Sequence, residues 1–153
     1  MLRLDTDLTT LHQSTQGART TTLDARETLG MPLRRPQEYR EDSREILHWL
    51  SRRWLYNIPR SAQTEGLRPL GRLALVDNAS ELFERLGEAV ANVTDPESLH
   101  RTAETTGLQF REQVPRIFVL ASISGGTVSG MVLDVVYGLR NIAASPTRAF
   151  AAS

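Results

Sequence analysis

Two short stretches carry residue types that could do chemistry. Residues 122–130, Ser-Ile-Ser-Gly-Gly-Thr-Val-Ser-Gly, place three glycines, three serines and a threonine in nine positions. Bare backbone N–H groups and hydroxyls in such a run suit an anion. They suit it better if a helix follows, because the positive end of its dipole then faces the ligand. The second stretch is Asp5-Thr6-Asp7, two carboxylates around a hydroxyl. At the carboxyl end of a strand such a pair could hold Mg²⁺ or position a water. Alternatively, Asp7 caps a short helix through Leu8, Leu11 and His12.

The elements that must position these residues follow from the apolar pattern. Leu2 and Leu4 alternate with Arg3 as in a strand. Residues 117–121 form a short continuous apolar run, expected as a strand covered on both faces and lying parallel and near to 2–4. After the glycines, Met131, Leu133, Val135, Val136, Leu139 and Ile142 supply a broad apolar face, which predicts a helix over 129–143. Residues 41–57 repeat apolar positions at helical spacing and predict one helix containing Trp49 and Trp54, both read as packing residues. A longer helix is expected over 69–93, opened by Pro69, with Asn78 to Ser80 as a kink or a fresh cap. A short polar helix follows over 97–105. Pro32 and Pro36 predict extended or turning chain before 41. Residues 13–22 and 58–66 read as polar surface breaks.

Composition excludes several function classes. Eighteen basic and eighteen acidic residues cancel, so no basic field points to nucleic acid or to a charged membrane surface. Every basic residue is arginine, which excludes a phosphate-loop lysine and Schiff-base chemistry. The absence of cysteine excludes thiolate nucleophiles, disulfides and cysteine zinc sites. His12, His48 and His100 lack metal-ligand spacing. No apolar run approaches about 20 residues and no signal-peptide pattern opens the chain, so a cytoplasmic location is expected. At 153 residues the chain can bury about two-thirds of its unfolded surface.

With the pieces placed, Ser124-Gly-Gly-Thr-Val-Ser-Gly130 resembles the glycine-rich signature loop of the tubulin/FtsZ superfamily. The nearer resemblance is to bacterial tubulin-like proteins. It rests on Leu-Asp-Thr-Asp (4–7), Pro-Leu-Arg-Arg-Pro (32–36) and Thr-Glu-Gly-Leu-Arg-Pro-Leu-Gly-Arg (64–72), followed by the signature loop. The resemblance implies an α/β fold: a partial Rossmann-like, tubulin-type nucleotide-binding domain with parallel strands and flanking helices. It spans residues 1–143, with 144–153 as a frayed tail. It implies GTP or GDP with Mg²⁺ as ligands and self-association into filaments in the complete protein. By the same resemblance Gly125, Gly126, Thr127, Ser129 and Gly130 wrap the diphosphate. Asp5, Thr6 and Asp7 lie near the γ-phosphate, Asp7 beside the metal, and Thr64, Glu65 and Gly66 form a γ-phosphate sensor.

Three departures shape the expectation. Val128 stands where the superfamily has glycine; if φ there must be positive, a β-branched residue adds about 1–3 kcal/mol of strain. The first strand with its phosphate loop, and the later base-binding and hydrolytic segments, find no counterpart. An internal fragment of a larger GTPase is therefore expected, binding nucleotide weakly or not at all and without catalysis of its own. The competing reading is a structural or interaction remnant with no nucleotide. A Rossmann dinucleotide enzyme is disfavoured, because that fold wants an acidic residue about 20 positions after the glycines and nothing after Asp134 is acidic.

Overall fold

A computed structural model describes residues 2–6, 27–41, 43–108 and 116–144. In chain order these form β1 (Arg3–Asp5), β2 (Thr28–Gly30), α1 (Pro36–Glu41), α2 (Ser43–Ile46), α3 (Arg52–Leu55), α4 (Arg68–Thr94), α5 (Pro96–Thr106) and α6 (Gly126–Ala144). The fold is mostly helical with one small parallel sheet, in which Arg3, Leu4 and Asp5 pair with Thr28, Leu29 and Gly30. The Met31 N–H donates to the Asp5 carbonyl at 2.8 Å, extending the ladder past β2. No helix among the described residues is long and apolar enough to cross a membrane.

The expected strand over 117–121 is not formed. The parallel neighbour of β1 is β2 instead. Residues 117–121 have no backbone–backbone hydrogen bond among the described residues. Side-chain exposure still alternates with period two: Ile117 and Val119 border a groove with Val136 and Leu139 of α6, while Phe118 and Leu120 are 83% and 95% exposed. An apolar run specifies that burial is favourable. Whether a strand forms depends on a neighbour that can complete its hydrogen bonds.

The single helix expected over 41–57 is also corrected. Its helical turns stop at Ile46 and resume at Arg52, because Ser51 has extended backbone (φ −67°, ψ 149°) and starts a fresh helix. Trp49 is 38% exposed and so not a core residue. Pro36 does not continue the extended segment; it opens α1, where its missing N–H costs nothing. By contrast, α4 runs unbroken through Leu73–Val76 and Asn78. The Asn78 amide donates back to the Ala74 carbonyl at 2.8 Å and to the Pro32 carbonyl at 3.4 Å, so it bonds the helix without kinking it.

The chain divides into two compact units, residues 1–79 with 121–133, and residues 80–120 with 134–153. In the first, Leu29, Met31, Tyr39, Leu55, Leu70, Leu73 and Met131 are buried. A polar clasp fastens 31–36 to α4. The Tyr39 hydroxyl donates to Asp77, and Arg34 donates to the same carboxylate from Nε (3.0 Å) and Nη2 (2.9 Å). The Arg34 backbone N–H donates to the Tyr39 oxygen at 2.9 Å. Burial, then the bond to Asp77, pushes the Tyr39 phenol above its ordinary range, so it stays a donor.

In the second unit Leu82, Leu86, Val135 and Leu139 are buried. Gly138 leaves room for the Phe83 ring, whose Cζ would lie 2.7 Å from an added Cβ. Helix α5 is capped at both ends. The Asp95 carboxylate accepts from the Ser98 N–H at 2.8 Å, and Gly107, at φ 69°, donates to the Ala103 carbonyl at 2.8 Å.

Candidate functional site

The glycine run does not form a loop that precedes a helix; most of it is the helix. α6 starts at Gly126, so Gly126, Thr127, Val128, Ser129 and Gly130 are its first five residues. The first N–H groups of any helix have no intrahelical acceptor. Those of Gly126, Thr127 and Val128 have no backbone acceptor among the described residues. A 19-residue helix adds its dipole to them, giving a local positive potential suited to an anion.

Val128 carries no strain of the expected kind. The described non-glycine residues with positive φ are Ala62 (55°) and Glu65 (45°). Val128 is helical, and nothing at that position requires glycine.

Gly126 and Gly130 serve close packing. A Cβ on Gly126 would lie 2.6 Å from the Gly66 carbonyl carbon. One on Gly130 would lie 2.7 Å from the Arg72 nitrogen and 2.9 Å from the Gly71 Cα. Across the junction a Cβ on Gly71 would meet the carbonyl oxygens of Gly126 and Thr127, the latter at 2.5 Å. The first turns of α4 and α6 therefore touch backbone to backbone. Gly125, outside the helix, has open space around its missing Cβ.

Three segments far apart in sequence converge on one hydroxyl. Thr127 Oγ1 is hydrogen-bonded to Thr6 Oγ1 at 2.8 Å and to Thr64 Oγ1 at 2.9 Å. Thr6 and Thr64 are each only 4% exposed. Thr6 follows β1 directly. Thr64 opens a turn in which the Leu67 N–H donates back to the Thr64 carbonyl at 2.8 Å, with Glu65 and Gly66 at φ 45° and 80°. Positive φ at both central positions defines a type I′ geometry, and glycine at the second of them adopts it without strain. The Glu65 carboxylate accepts from the Ser61 hydroxyl at 2.9 Å.

The other hydroxyls around the helix start are engaged locally. Ser129 donates to the Gly125 carbonyl, and Ser122 and Ser124 share a hydrogen bond at 2.8 Å. Asp5 is half-buried at the end of β1, with Arg3 Nη2 at 3.9 Å. Asp7, the expected metal ligand, lies outside the described residues. Among the described residues no group of three or more His, Asp or Glu side chains could hold a metal ion. His48 and His100 are exposed, His100 with Glu104 at 3.3 Å.

Two neighbouring residues belong to the 64–72 motif but were given no role in the site from the sequence. Arg68 and Arg72, one turn apart on α4, border a groove with Trp49 and Ser129. The spacing Arg-x-x-x-Arg at a helix start was the available signal.

A glycine- and threonine-rich helix start is thus joined to the end of a parallel strand and to a tight turn. A family model described as "Tubulin like" matches residues 1–151. The chain belongs to the tubulin-like family. It matches no curated protein and no solved structure.

Proposed function

We propose that this chain is the phosphate-holding part of a tubulin-like guanine-nucleotide-binding protein, with a tubulin-type, Rossmann-like arrangement in the whole. The observation that carries the reading is the meeting of Thr6, Thr64 and Thr127 at the start of α6, together with family membership. The donor set fits a phosphate: N–H groups of Gly126, Thr127 and Val128 at the positive end of a helix, with Gly125 open beside them. In this reading Thr6 and Thr64 orient the Thr127 hydroxyl, and Glu65 and Gly66 shape the turn that carries Thr64. Gly126 and Gly130 let α4 approach, and Ser129 holds the Gly125 carbonyl in place. By resemblance Asp5 and Asp7 lie near the γ-phosphate, and Asp7 alone is assigned to Mg²⁺. A bound GTP supplies the phosphoanhydride that an assembled filament would hydrolyse. The residues here bind and orient, and none acts as a catalyst.

Affinity is expected to be weaker than micromolar, because most of the nearby hydroxyl protons are already spent on neighbouring protein oxygens. A second reading, a packing remnant without nucleotide, is favoured by the close contacts of Gly126 and Gly130 with α4. Calorimetry with GTP and GDP plus Mg²⁺, on the wild type and Val128→Gly, separates the two. Saturable binding by the wild type supports the nucleotide reading, and sub-micromolar binding would overturn the expected weakness. Silence from both proteins, each with a folded circular-dichroism spectrum, would establish the remnant.

A further inference from the structure

Helix α4 begins against the rules of helix electrostatics. Its first residue is Arg68, Arg72 follows one turn later, and its first turn holds no acidic residue. Cations at a helix N-terminus and like charges four apart are each unfavourable by a few tenths of a kcal/mol or more. Such a local conflict marks a position retained for something other than stability.

The geometry gives Arg68 a task. Its Nη2 lies 3.5 Å from the Ile123 carbonyl, so the guanidinium rests on the segment that leads into α6. Its own backbone carbonyl lies where a Cβ on Gly130 would be, which ties its position to the first turn of α6. Arg68 is exposed and forms no ion pair among the described residues. The Arg72 guanidinium is turned to the Trp49 ring, 5.4 Å from its centroid. The groove bordered by Trp49, Arg68, Arg72 and Ser129 therefore has one guanidinium committed to an indole and another at the helix mouth.

We propose that Arg68 is the cation that neutralises phosphate bound at the start of α6. The inference rests on the nucleotide reading above and adds a positively charged side chain to the Mg²⁺ which that reading takes by resemblance. In a chain without lysine, backbone N–H groups alone would face at least two negative charges. A guanidinium offers a planar fork of donors matched to phosphate oxygens. The ligand class is a diphosphate, free or in a nucleotide.

The test is NMR titration of the full chain with GDP and, separately, with inorganic pyrophosphate, following the amides of residues 125–130. Wild type is compared with Arg68→Gln, which keeps a donor for the Ile123 carbonyl but no charge, with Arg68→Lys, and with Arg44→Ala as an exposed arginine elsewhere. The expected result is weaker binding of both ligands by about ten- to a hundredfold in Arg68→Gln, partial recovery in Arg68→Lys, and no change in Arg44→Ala. Wild-type affinity in Arg68→Gln would overturn the role of Arg68 and leave the nucleotide reading standing. Arginine-dependent pyrophosphate binding with no binding of GDP would sustain Arg68 and overturn the nucleotide. Silence of the wild type toward both ligands would overturn both.

Discussion

Replacing Gly71 by alanine should destabilise the protein, while the same change at Gly87 should stabilise it. Both glycines lie within α4, so each substitution gains helix propensity, about 1 kcal/mol in a helix interior and less for Gly71 near the start. At Gly87 an added Cβ meets nothing within 4 Å, and the gain is kept. At Gly71 the Cβ would press on the carbonyl oxygens of Gly126 and Thr127, the latter at 2.5 Å. Carbon–oxygen contacts settle at about 3.3 Å or more, so α6 must retreat by about 1 Å. Overpacking of this kind costs about 1–3 kcal/mol. The net loss at Gly71 is then about 1–2 kcal/mol, and the two variants should differ by about 2–3 kcal/mol. Urea denaturation followed by circular dichroism measures this directly, because a shifted midpoint with an unchanged slope reports stability alone. A Gly71→Ala variant as stable as Gly87→Ala would refute the backbone contact between the first turns of α4 and α6.

Three further outcomes are expected. Thr127→Val keeps the side-chain shape but strands the buried Thr6 and Thr64 hydroxyls, and should lower urea stability by about 2–3 kcal/mol, with Thr127→Ser retaining most of it. Val128→Gly should cost about 0.5 kcal/mol, since the position is helical; a gain in stability would show that strain was present after all. The Ser98 hydrogen bonds hold the Asp95 carboxyl below its ordinary range. The cap it provides to α5 is therefore complete above about pH 4 and is lost as pH falls through the lower folded value. In an acid titration the Ser98 amide shift should have its midpoint below that of an ordinary aspartate, and this step should vanish in Asp95→Asn.

The legible parts of the fold were those set by local pattern. Helices α4 and α6 follow from apolar spacing, with Pro69 near the start of α4, and α5 follows from the short polar segment expected over 97–105. β1 follows from the Leu2, Arg3, Leu4 alternation. The failures share a cause. Apolar periodicity over 41–57 could not reveal that Ser51 adopts extended backbone, and the run at 117–121 could not reveal whether a partner strand stands beside it. For the site, sequence resemblance named the three segments that meet at Thr127. It did not reveal that Gly126 and Gly130 serve helix contact, because spacing on one helix says nothing of what crosses it. Nor did it expose Arg68, whose significance depends on the Ile123 carbonyl 55 positions away.

The threonine junction has a consequence for how information can be stored without movement. Three hydroxyls own three protons, yet two hydrogen bonds join them, so one proton is always left over. It can emerge at Thr6, at Thr64, or at Thr127 when both neighbours donate inward. The two oxygen separations, 2.8 Å and 2.9 Å, fit all three arrangements equally well. An acceptor arriving beside any one hydroxyl selects the arrangement of the other two, on both sides of the junction at once. Bound and free proteins could then superimpose in every heavy atom and differ only in hydroxyl-proton resonances, the end of β1 and the turn before α4 reading the same event through hydrogens alone.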